Sequence, residues 1–313
     1  SDRWQITGGA RFFWQDFSED QRIRFPYCTF YCASDGVDLL GTTSLTIQQD
    51  FQDSLFKLNT SYKLSDDAMF YLTVSEGFRH GGANGLPTTG PLAVDPSLLQ
   101  FDSDTVLNFE TGLKGYLADG RVSYTAAYFR IDWDDVQLDT FVGPLATPAA
   151  INGKSALSQG IELELTARVN DNLDINFGYA YTDAELTEDA VLGDRPVFDG
   201  DPLPGVSEHV FSIFANYLVP LSSGNEILFH LDGSYRSDFV TAFNSAHPNY
   251  SDLSGFGVVN AIVNWRSEKL TVGLFANNLT DEEGITGTTY ESPPGRANVL
   301  RPRTVGISLT YDF

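Results

Sequence analysis

Apolar and polar residues alternate with a period of two along much of this chain. At its end, Val305, Ile307, Leu309, Tyr311 and Phe313 fall on one parity, and Gly306, Ser308, Thr310 and Asp312 fall on the other. Successive side chains of a β-strand point to opposite faces, so this pattern predicts a strand with one apolar and one polar face. The alternation recurs in 56–63, 161–169 and 173–182. The chain is therefore predicted to be all-β.

The segment 122–134 fits this alternation less well. Phe129, Ile131 and Trp133 lie on the parity opposite to Arg130, Asp132 and Asp134, but Val122 and Tyr124 share the parity of the polar residues. Two explanations are open: a β-bulge, or aromatic side chains that face inward low in a barrel wall.

About twelve strands are predicted from the alternation and the turn residues that bound it. They lie near 3–14, 54–64, 69–78, 105–117, 121–137, 155–169, 173–183, 208–219, 226–236, 254–266, 269–279 and 301–313. Every second connection is tight: 65–67, 118–120, 170–172, 222–225 and 267–268. The other connections are long and rich in Gly, Pro, Asp and Asn: 15–53, 79–104, 138–154, 184–207, 237–253 and 280–300. Antiparallel strands joined in sequence then place all tight turns at one end, as in outer-membrane barrels.

A soluble β-sandwich would also show alternation. Its strands usually run for about 5–6 residues, however, whereas the strands predicted here are about twice as long. A sandwich also gives no reason for regularly alternating short and long connections. We therefore predict an antiparallel transmembrane β-barrel wall, with tyrosine-rich strand ends at the membrane interfaces.

Charge and composition exclude several other classes of protein. The formal net charge of −23 argues against a nucleic-acid partner, because binding a phosphate backbone needs clustered Lys and Arg. No apolar run approaches the roughly 20 residues that a transmembrane helix requires. The first residues, Ser1-Asp2-Arg3-Trp4, do not form a signal peptide, so the chain is expected to be a mature segment or a fragment.

The two cysteines, Cys28 and Cys32, lie four residues apart in a polar stretch. Two cysteines are too few for a typical structural zinc site. We expect a local disulfide in an external loop, formed in an oxidising compartment. Free thiols and a redox or shared-metal role are the alternatives.

Several motifs resemble, in order and spacing, those of TonB-dependent outer-membrane receptors. They are 74–82 (VSEGFRHGG), 108–115 (NFETGLKG), 128–135 (YFRIDWDD), 160–164 (GIELE), 277–282 (NNLTDE) and the final strand 302–313. Each motif alone is weak, but together they cover nearly the whole chain.

This resemblance implies a twenty-two-stranded barrel whose lumen is filled by a plug domain. The chain then corresponds to the C-terminal portion of that barrel over 1–313, without the plug or about ten early strands. The implied location is the outer membrane of a Gram-negative bacterium, and the implied function is TonB-energised uptake of a scarce ligand such as a ferric siderophore. The implied partners are membrane lipid, TonB, the plug, the barrel assembly machinery and a small-molecule ligand. No cofactor is expected.

The resemblance also suggests candidate residues. Ligands in this family are often held by aromatic and cationic groups on the loops, and the candidates here are Arg79, His80, Asn84, His247, Tyr250, Tyr290 and Arg296. The alternative is that these are ordinary solvated loop residues. Val305, Ile307, Leu309, Tyr311 and Phe313 resemble the recognition signal for barrel assembly.

Signals for catalysis are weak, and we predict no enzyme. Asp132, Asp134 and Asp135 could point into one lumen as an acid–base or metal site, but a hydrated polar wall is the favoured explanation. His209 and His230 fall on separate strands without a partner motif. The alternative functions are a passive porin-like channel and a barrel enzyme or adhesin.

The chain is also predicted not to close on itself. Twelve strands taken from a larger barrel keep the curvature of that barrel, because strand number, tilt and shear are linked. The first strand, near 3–14, and the last, 301–313, are then both edges of an open sheet.

Overall fold

The computed structural model describes residues 2–23, 43–87, 93–143, 147–192, 195–245, 250–289 and 296–313. Its strands in chain order are β1 (Trp4–Ile23), β2 (Thr43–Lys63), β3 (Ala68–Arg79), β4 (Gly82–Ala83), β5 (Gln100–Phe101), β6 (Asp104–Leu117), β7 (Val122–Asp134), β8 (Gln137–Val142), β9 (Thr147–Asn152), β10 (Ala156–Asn170), β11 (Leu173–Leu186), β12 (Ala190–Leu192), β13 (Arg195–Val197), β14 (His209–Pro220), β15 (Glu226–Arg236), β16 (Phe239–Val240), β17 (Asp252–Leu253), β18 (Phe256–Arg266), β19 (Leu270–Asn277), β20 (Ile285–Thr289), β21 (Arg296–Val299) and β22 (Thr304–Tyr311). A 3₁₀ helix covers Pro96–Leu99.

Twelve of these strands form one antiparallel sheet in the order β1-β2-β3-β6-β7-β10-β11-β14-β15-β18-β19-β22. Each corresponds to one strand predicted from the sequence, so the all-β meander is confirmed. The remaining strands pair two by two within the long connections. The tight connections therefore lie at one end of the sheet, the turn end, and the long ones lie at the other, the loop end.

The predicted boundaries of the first long connection are wrong. β1 and β2 continue for 20 and 21 residues in an unbroken ladder from Trp4↔Tyr62 to Ile23↔Thr43. The apolar residues of the upper half of this hairpin, such as Phe17 and Ile47, are few and lie on the parity opposite to that of Trp4 and Phe12, so the alternation of the lower half does not continue into it. Contacts such as the 2.6 Å hydrogen bond from Thr46 to Asp20 stabilise it instead.

The sheet is open, as predicted. β1 is one edge and β22 is the other, and no ladder joins them among the residues that the structure describes. Both edges leave backbone N–H and C=O groups without strand partners.

Directly paired residues of antiparallel strands point to the same side, so the register assigns every wall residue to a face. One row reads Leu173, Tyr217, Phe229, Val263, Leu274 and Ile307. The row one residue further along includes Asp174, Asn216 and His230. We call these sides the apolar face and the polar face. Val305, Ile307, Leu309 and Tyr311 all lie on the apolar face.

The most deeply buried side chains lie at the loop end. Val136 and Leu186 are fully buried in a cluster with Ile151, Leu192 and Phe243, which joins three long connections. Ile47, Leu86 and Val142 belong to a second cluster, and Leu98 packs against both. No helix in the described part of the chain is long and apolar enough to cross a bilayer.

Candidate functional site

The apolar face carries two aromatic rows separated by the height of a hydrocarbon layer. Near the turn end, the rings of Trp4 and Tyr62 lie 5.4 Å apart. Near the loop end, Trp14 is 76% exposed on the same face. Ten residues at about 3.3 Å each, tilted by about 40°, span a height of about 25 Å. This matches the apolar band and flanking aromatic girdles of an outer-membrane wall.

His209 belongs to the upper aromatic row. Its Nδ1 lies 3.0 Å from the Tyr179 hydroxyl, and its ring centroid lies 5.3 Å from that of Tyr181. Phe211 and Tyr235 continue the row, with centroids 4.9 Å apart. An interfacial role explains this histidine without a catalytic partner.

The irregular segment 122–134 contains no bulge, because both ladders of β7 run without a register shift. Tyr124 pairs with Leu165 and therefore lies on the apolar face. Trp133 pairs with Ala156 and lies on the opposite face. The explanation by inward aromatics low in the wall is therefore wrong as well: Tyr124, near the tight turn, faces outward, and the inward side chains are Phe129, Ile131 and Trp133 toward the loop end.

The polar face is cross-linked by side-chain hydrogen bonds. The Tyr71 hydroxyl donates to Glu110 over 2.7 Å, and Thr166 donates to Asn176 over 2.6 Å. His230 Nδ1 lies 2.7 Å from Asn216 Oδ1. Such a surface suits a hydrated lumen, and it fixes the side chains of neighbouring strands.

A buried carboxylate, Asp104, organises the loop end. It is 1% exposed and accepts hydrogen bonds from the Arg79 guanidinium, from Trp133 Nε1 at 2.9 Å and from the backbone N–H of Gln137 at 3.1 Å. Arg79 also lies 4.6 Å over the Trp133 ring. Burial of Asp104 opposes its ionisation, but the hydrogen bonds and the charge of Arg79 outweigh burial and leave its pKa below the usual range. Asp104 thus ties the ends of β3, β6 and β7 together.

Asn84 has a similar structural role. It is 6% exposed, donates to the carbonyls of Leu98 and Ala150 over 2.8 and 2.7 Å, and accepts from the Ala150 N–H over 2.9 Å. Its amide is fully engaged in joining two long connections. The Asn84 amide is therefore not available to a ligand, and the Nε and Nη2 groups of the 49% exposed Arg79 side chain are already committed to Asp104 and the Gln137 carbonyl.

His80 lies in an aromatic cluster at the loop end. The Phe13 and Phe78 rings stack with centroids 4.2 Å apart, and His80 meets Phe78 edge-on at 4.7 Å. The His80 side chain is exposed. Among the predicted ligand residues that the structure describes, it is the one with a ring open to solvent beside other rings.

The other described candidates, Tyr250 and Arg296, lie on two different long connections. Tyr250 is half-buried, and Arg296 is exposed at the start of β21. His247, Tyr290, Cys28 and Cys32 lie outside the described residues.

The three aspartates do not point into one lumen, so that prediction is wrong. Asp132 pairs with Leu107 and Leu157, which places it on the apolar-face parity beyond the aromatic row. There it forms an exposed ion pair with Arg130 at 2.7 Å. Within the described ranges, no group of three His, Cys, Asp or Glu side chains could hold a metal ion.

Asp104, Trp133 and Asn278 are anchors that the sequence pattern does not reveal. Asn278 is 4% exposed, and its amide donates to the carbonyls of Glu282 and Arg301 over 2.9 and 3.0 Å. The one available signal was position, because Asp104 and Asn278 stand where a strand meets a long connection.

Comparison with known proteins places this wall in a family. The model of the TonB dependent receptor-like β-barrel matches residues 1–279. The pesticin receptor of Yersinia pestis is 26% identical over the whole chain, which covers 42% of that receptor. A probable TonB-dependent siderophore receptor of Acinetobacter baumannii, PiuA, is 22% identical over 74% of this chain and 30% of its own length.

Solved structures share the fold. The crystal structure of the ferric yersiniabactin uptake receptor FyuA from Yersinia pestis superposes with a TM-score of 0.77 and 22% identity, over 100% of this chain and 44% of that one. This chain therefore spans less than half the length of these relatives. Since the family model covers most of its residues, the apolar face is a lipid-facing surface of the Gram-negative outer membrane, and the polar face lines the lumen. The chain belongs to the TonB-dependent receptor β-barrel family.

Proposed function

We propose that this chain is the C-terminal portion of a receptor that takes up a ferric siderophore across the outer membrane with energy from TonB. The observation that carries the proposal is the two-faced, twelve-stranded wall with all its long connections at one end. Such a wall offers a hydrated lumen and a loop-built external mouth.

The names of the relatives support the class of ligand. One is a probable siderophore receptor, and one solved neighbour is a ferric yersiniabactin uptake receptor. The chain covers 42% of the pesticin receptor, so the plug, the TonB contact and the early strands belong to the part of the protein outside this chain. The barrel assembly machinery completes the set of proposed partners, and no catalytic step is proposed.

Of the candidate ligand residues, His80, Tyr250 and Arg296 remain in the proposal, as do His247 and Tyr290, which lie outside the described residues. His80 stands beside two stacked phenylalanines, where a planar ligand group could pack against the cluster. Arg79 and Asn84 are assigned to loop structure, because Nε and Nη2 of Arg79 are bonded to Asp104 and the Gln137 carbonyl and the Asn84 amide is bonded through both its nitrogen and its oxygen.

The test uses the complete protein in a Gram-negative host that lacks its own ferric siderophore receptors. Uptake of radioactive iron is measured with a panel of purified ferric siderophores, in otherwise identical strains with and without TonB. We expect saturable uptake of at least one complex that stops without TonB. Uptake that is unchanged without TonB would instead favour the passive porin-like channel.

A further inference from the structure

Arg236 is a half-buried arginine at the loop end that pairs with no carboxylate of the described chain. It is the last residue of β15, where its backbone pairs with Val210 of β14 and Phe256 of β18. Its neighbour Tyr235 pairs with Phe211 on the apolar face. Because successive side chains of a strand alternate, Arg236 points to the opposite side, at the external mouth of the lumen.

The surrounding residues hold the guanidinium of Arg236 in one position. Its Nε donates to the Ser207 hydroxyl over 2.9 Å, and its Nη2 donates to the Gly205 carbonyl over 2.9 Å. Its Cζ lies 3.9 Å from the centroid of the Phe239 ring, which is buried. Nη1 forms no hydrogen bond within the part of the chain that the structure describes. One edge of a fixed, planar cation is therefore left for a partner.

The chain neutralises several other arginines with its own carboxylates. Among the described residues, ion pairs with Asp or Glu are formed by Arg79, Arg130, Arg168, Arg266 and Arg303. Carboxylates are abundant, since the chain has 42 acidic and 19 basic residues. A partly buried charge without a counter-ion is unfavourable, and an anion from outside the chain would remove this cost at Arg236.

We propose that Arg236 binds a negatively charged oxygen of the ferric complex and makes the receptor selective for anionic complexes over uncharged ones. Catecholate and carboxylate oxygens are the matching acceptors, because a guanidinium forms its strongest hydrogen bonds with anionic oxygen. In an acid-rich protein such a ligand is otherwise repelled, so one fixed cation at the mouth decides between ligands of different charge. The inference rests on the proposed function, and it adds the charge of the ligand.

The experiment measures the binding of radioactive ferric complexes to the complete protein, purified in detergent. The probes are ferric tris-catecholates and ferric citrate, which are anionic, and ferric trihydroxamates without net charge. The unmodified protein should bind an anionic complex most tightly. Arg236→Gln should weaken that binding about tenfold, as expected for the loss of one charge-assisted hydrogen bond, and should not change the binding of uncharged complexes.

Two further variants separate ligand binding from a role in loop structure. Arg236→Lys keeps the positive charge but lacks the fork that bonds Ser207 and Gly205 together, so it should retain most of the affinity for the anionic complex. Arg303→Gln is the matched control, because Arg303 is a loop-end arginine that Asp281 already neutralises, and it should change neither kind of binding.

An equal loss for anionic and uncharged complexes, or a loss in Arg236→Lys as large as that in Arg236→Gln, would mean that Arg236 only anchors the segment 204–207, and would overturn the proposal. Tighter binding of uncharged complexes by the unmodified protein would also overturn it while leaving the proposed function in place. Saturable binding of no ferric complex would overturn the proposed function, and this inference with it.

Discussion

The wall and the loop end of this molecule handle apolar side chains in opposite ways. In the wall, Ile307 and Leu274 are 74% and 55% exposed, and their surroundings are lipid. At the loop end, Val136 and Leu186 are fully buried among other long connections. The loop end is therefore built like a small water-soluble domain, with apolar clusters and a buried, fully hydrogen-bonded carboxylate at Asp104.

This difference follows from the solvent on each side. Lipid accepts apolar side chains but no unpaired backbone groups, so the wall needs a continuous ladder and little internal packing. In water the burial of apolar surface is favourable, but a buried polar group without a hydrogen bond is costly. The loop end therefore needs packed apolar clusters and hydrogen-bonded polar groups. The two regions should accordingly respond to different substitutions.

The largest effect is expected for a charge on the lipid face. Leu231 is 49% exposed on the apolar face, between Ala215 and Ala261 of the neighbouring strands. Leu231→Arg should lower the free energy of unfolding by about 2–4 kcal/mol, because the guanidinium would enter hydrocarbon. Urea unfolding of the complete protein in lipid vesicles measures this effect.

Ser234→Arg on the same strand is the control for that variant. Ser234 pairs with Ser212 on the polar face, so its arginine would enter the hydrated lumen and should cost about 1 kcal/mol or less. Equal destabilisation by the two variants would mean that the faces are assigned incorrectly.

The sequence predicts the wall better than the loop end for the same physical reason. Apolar and polar residues alternate in the wall because one face contacts lipid. The alternation therefore predicts the twelve strands and the face on which Val305 and Ile307 lie. The partners of Asp104 are 25 to 33 residues away along the chain, and local pattern carries no information about them. The upper part of β1 and β2 was not predicted, because its few apolar residues, such as Phe17 and Ile47, lie on the opposite parity and Ile47 packs into a cluster of the loop end.

The second prediction concerns Asp104. Asp104→Asn keeps the volume of the side chain but leaves the Arg79 guanidinium, which is half exposed, without its counter-ion. We expect the free energy of unfolding of the loop end to fall by about 2 kcal/mol, after allowing for the exposure of Arg79. The wall should not be affected. Hydrogen exchange of the amides in 137–152 should accelerate while that of the wall amides does not change. Asp132→Asn, which breaks an exposed pair, should cost about 1 kcal/mol or less.

Because the pKa of Asp104 is lowered, the contribution of this carboxylate to the stability of the folded protein depends on pH. A carboxylate whose folded pKa is depressed stabilises the fold fully above its unfolded pKa of about 4, and this contribution is lost as pH falls through the folded value. The opening equilibrium of the loop end, obtained from exchange rates corrected for the intrinsic pH dependence of amide exchange, should therefore be insensitive to this group from pH 7 to about 5 and should shift toward the open state below about 4. Asp104→Asn should remove this component, and an unchanged acid response in the variant would exclude Asp104 as its source.

A smaller effect on the folded wall is expected from removing Phe313. Its side chain is fully exposed beyond the end of β22, so its loss removes little packing from the sheet. We propose that it acts during assembly, and deletion from the complete protein should lower the outer-membrane level without changing the unfolding midpoint of the protein that does assemble. Immunoblotting of membrane fractions measures the level, and an unchanged level would count against an assembly signal in 305–313.

The smallest effect on the wall is expected from Cys28 and Cys32. A disulfide between residues four apart would stabilise its own segment by about 2 kcal/mol in the chain-entropy model. That segment belongs to a long connection, so Cys28→Ser/Cys32→Ser should leave the unfolding midpoint of the wall unchanged. The bond itself is tested by mass spectrometry of protein prepared under oxidising conditions, in which alkylation of both residues should require prior reduction. Full alkylation without reductant would show that the thiols are free. A shifted unfolding midpoint of the wall in the double serine variant would show that the wall and the loop end are coupled more tightly than their separate interactions suggest.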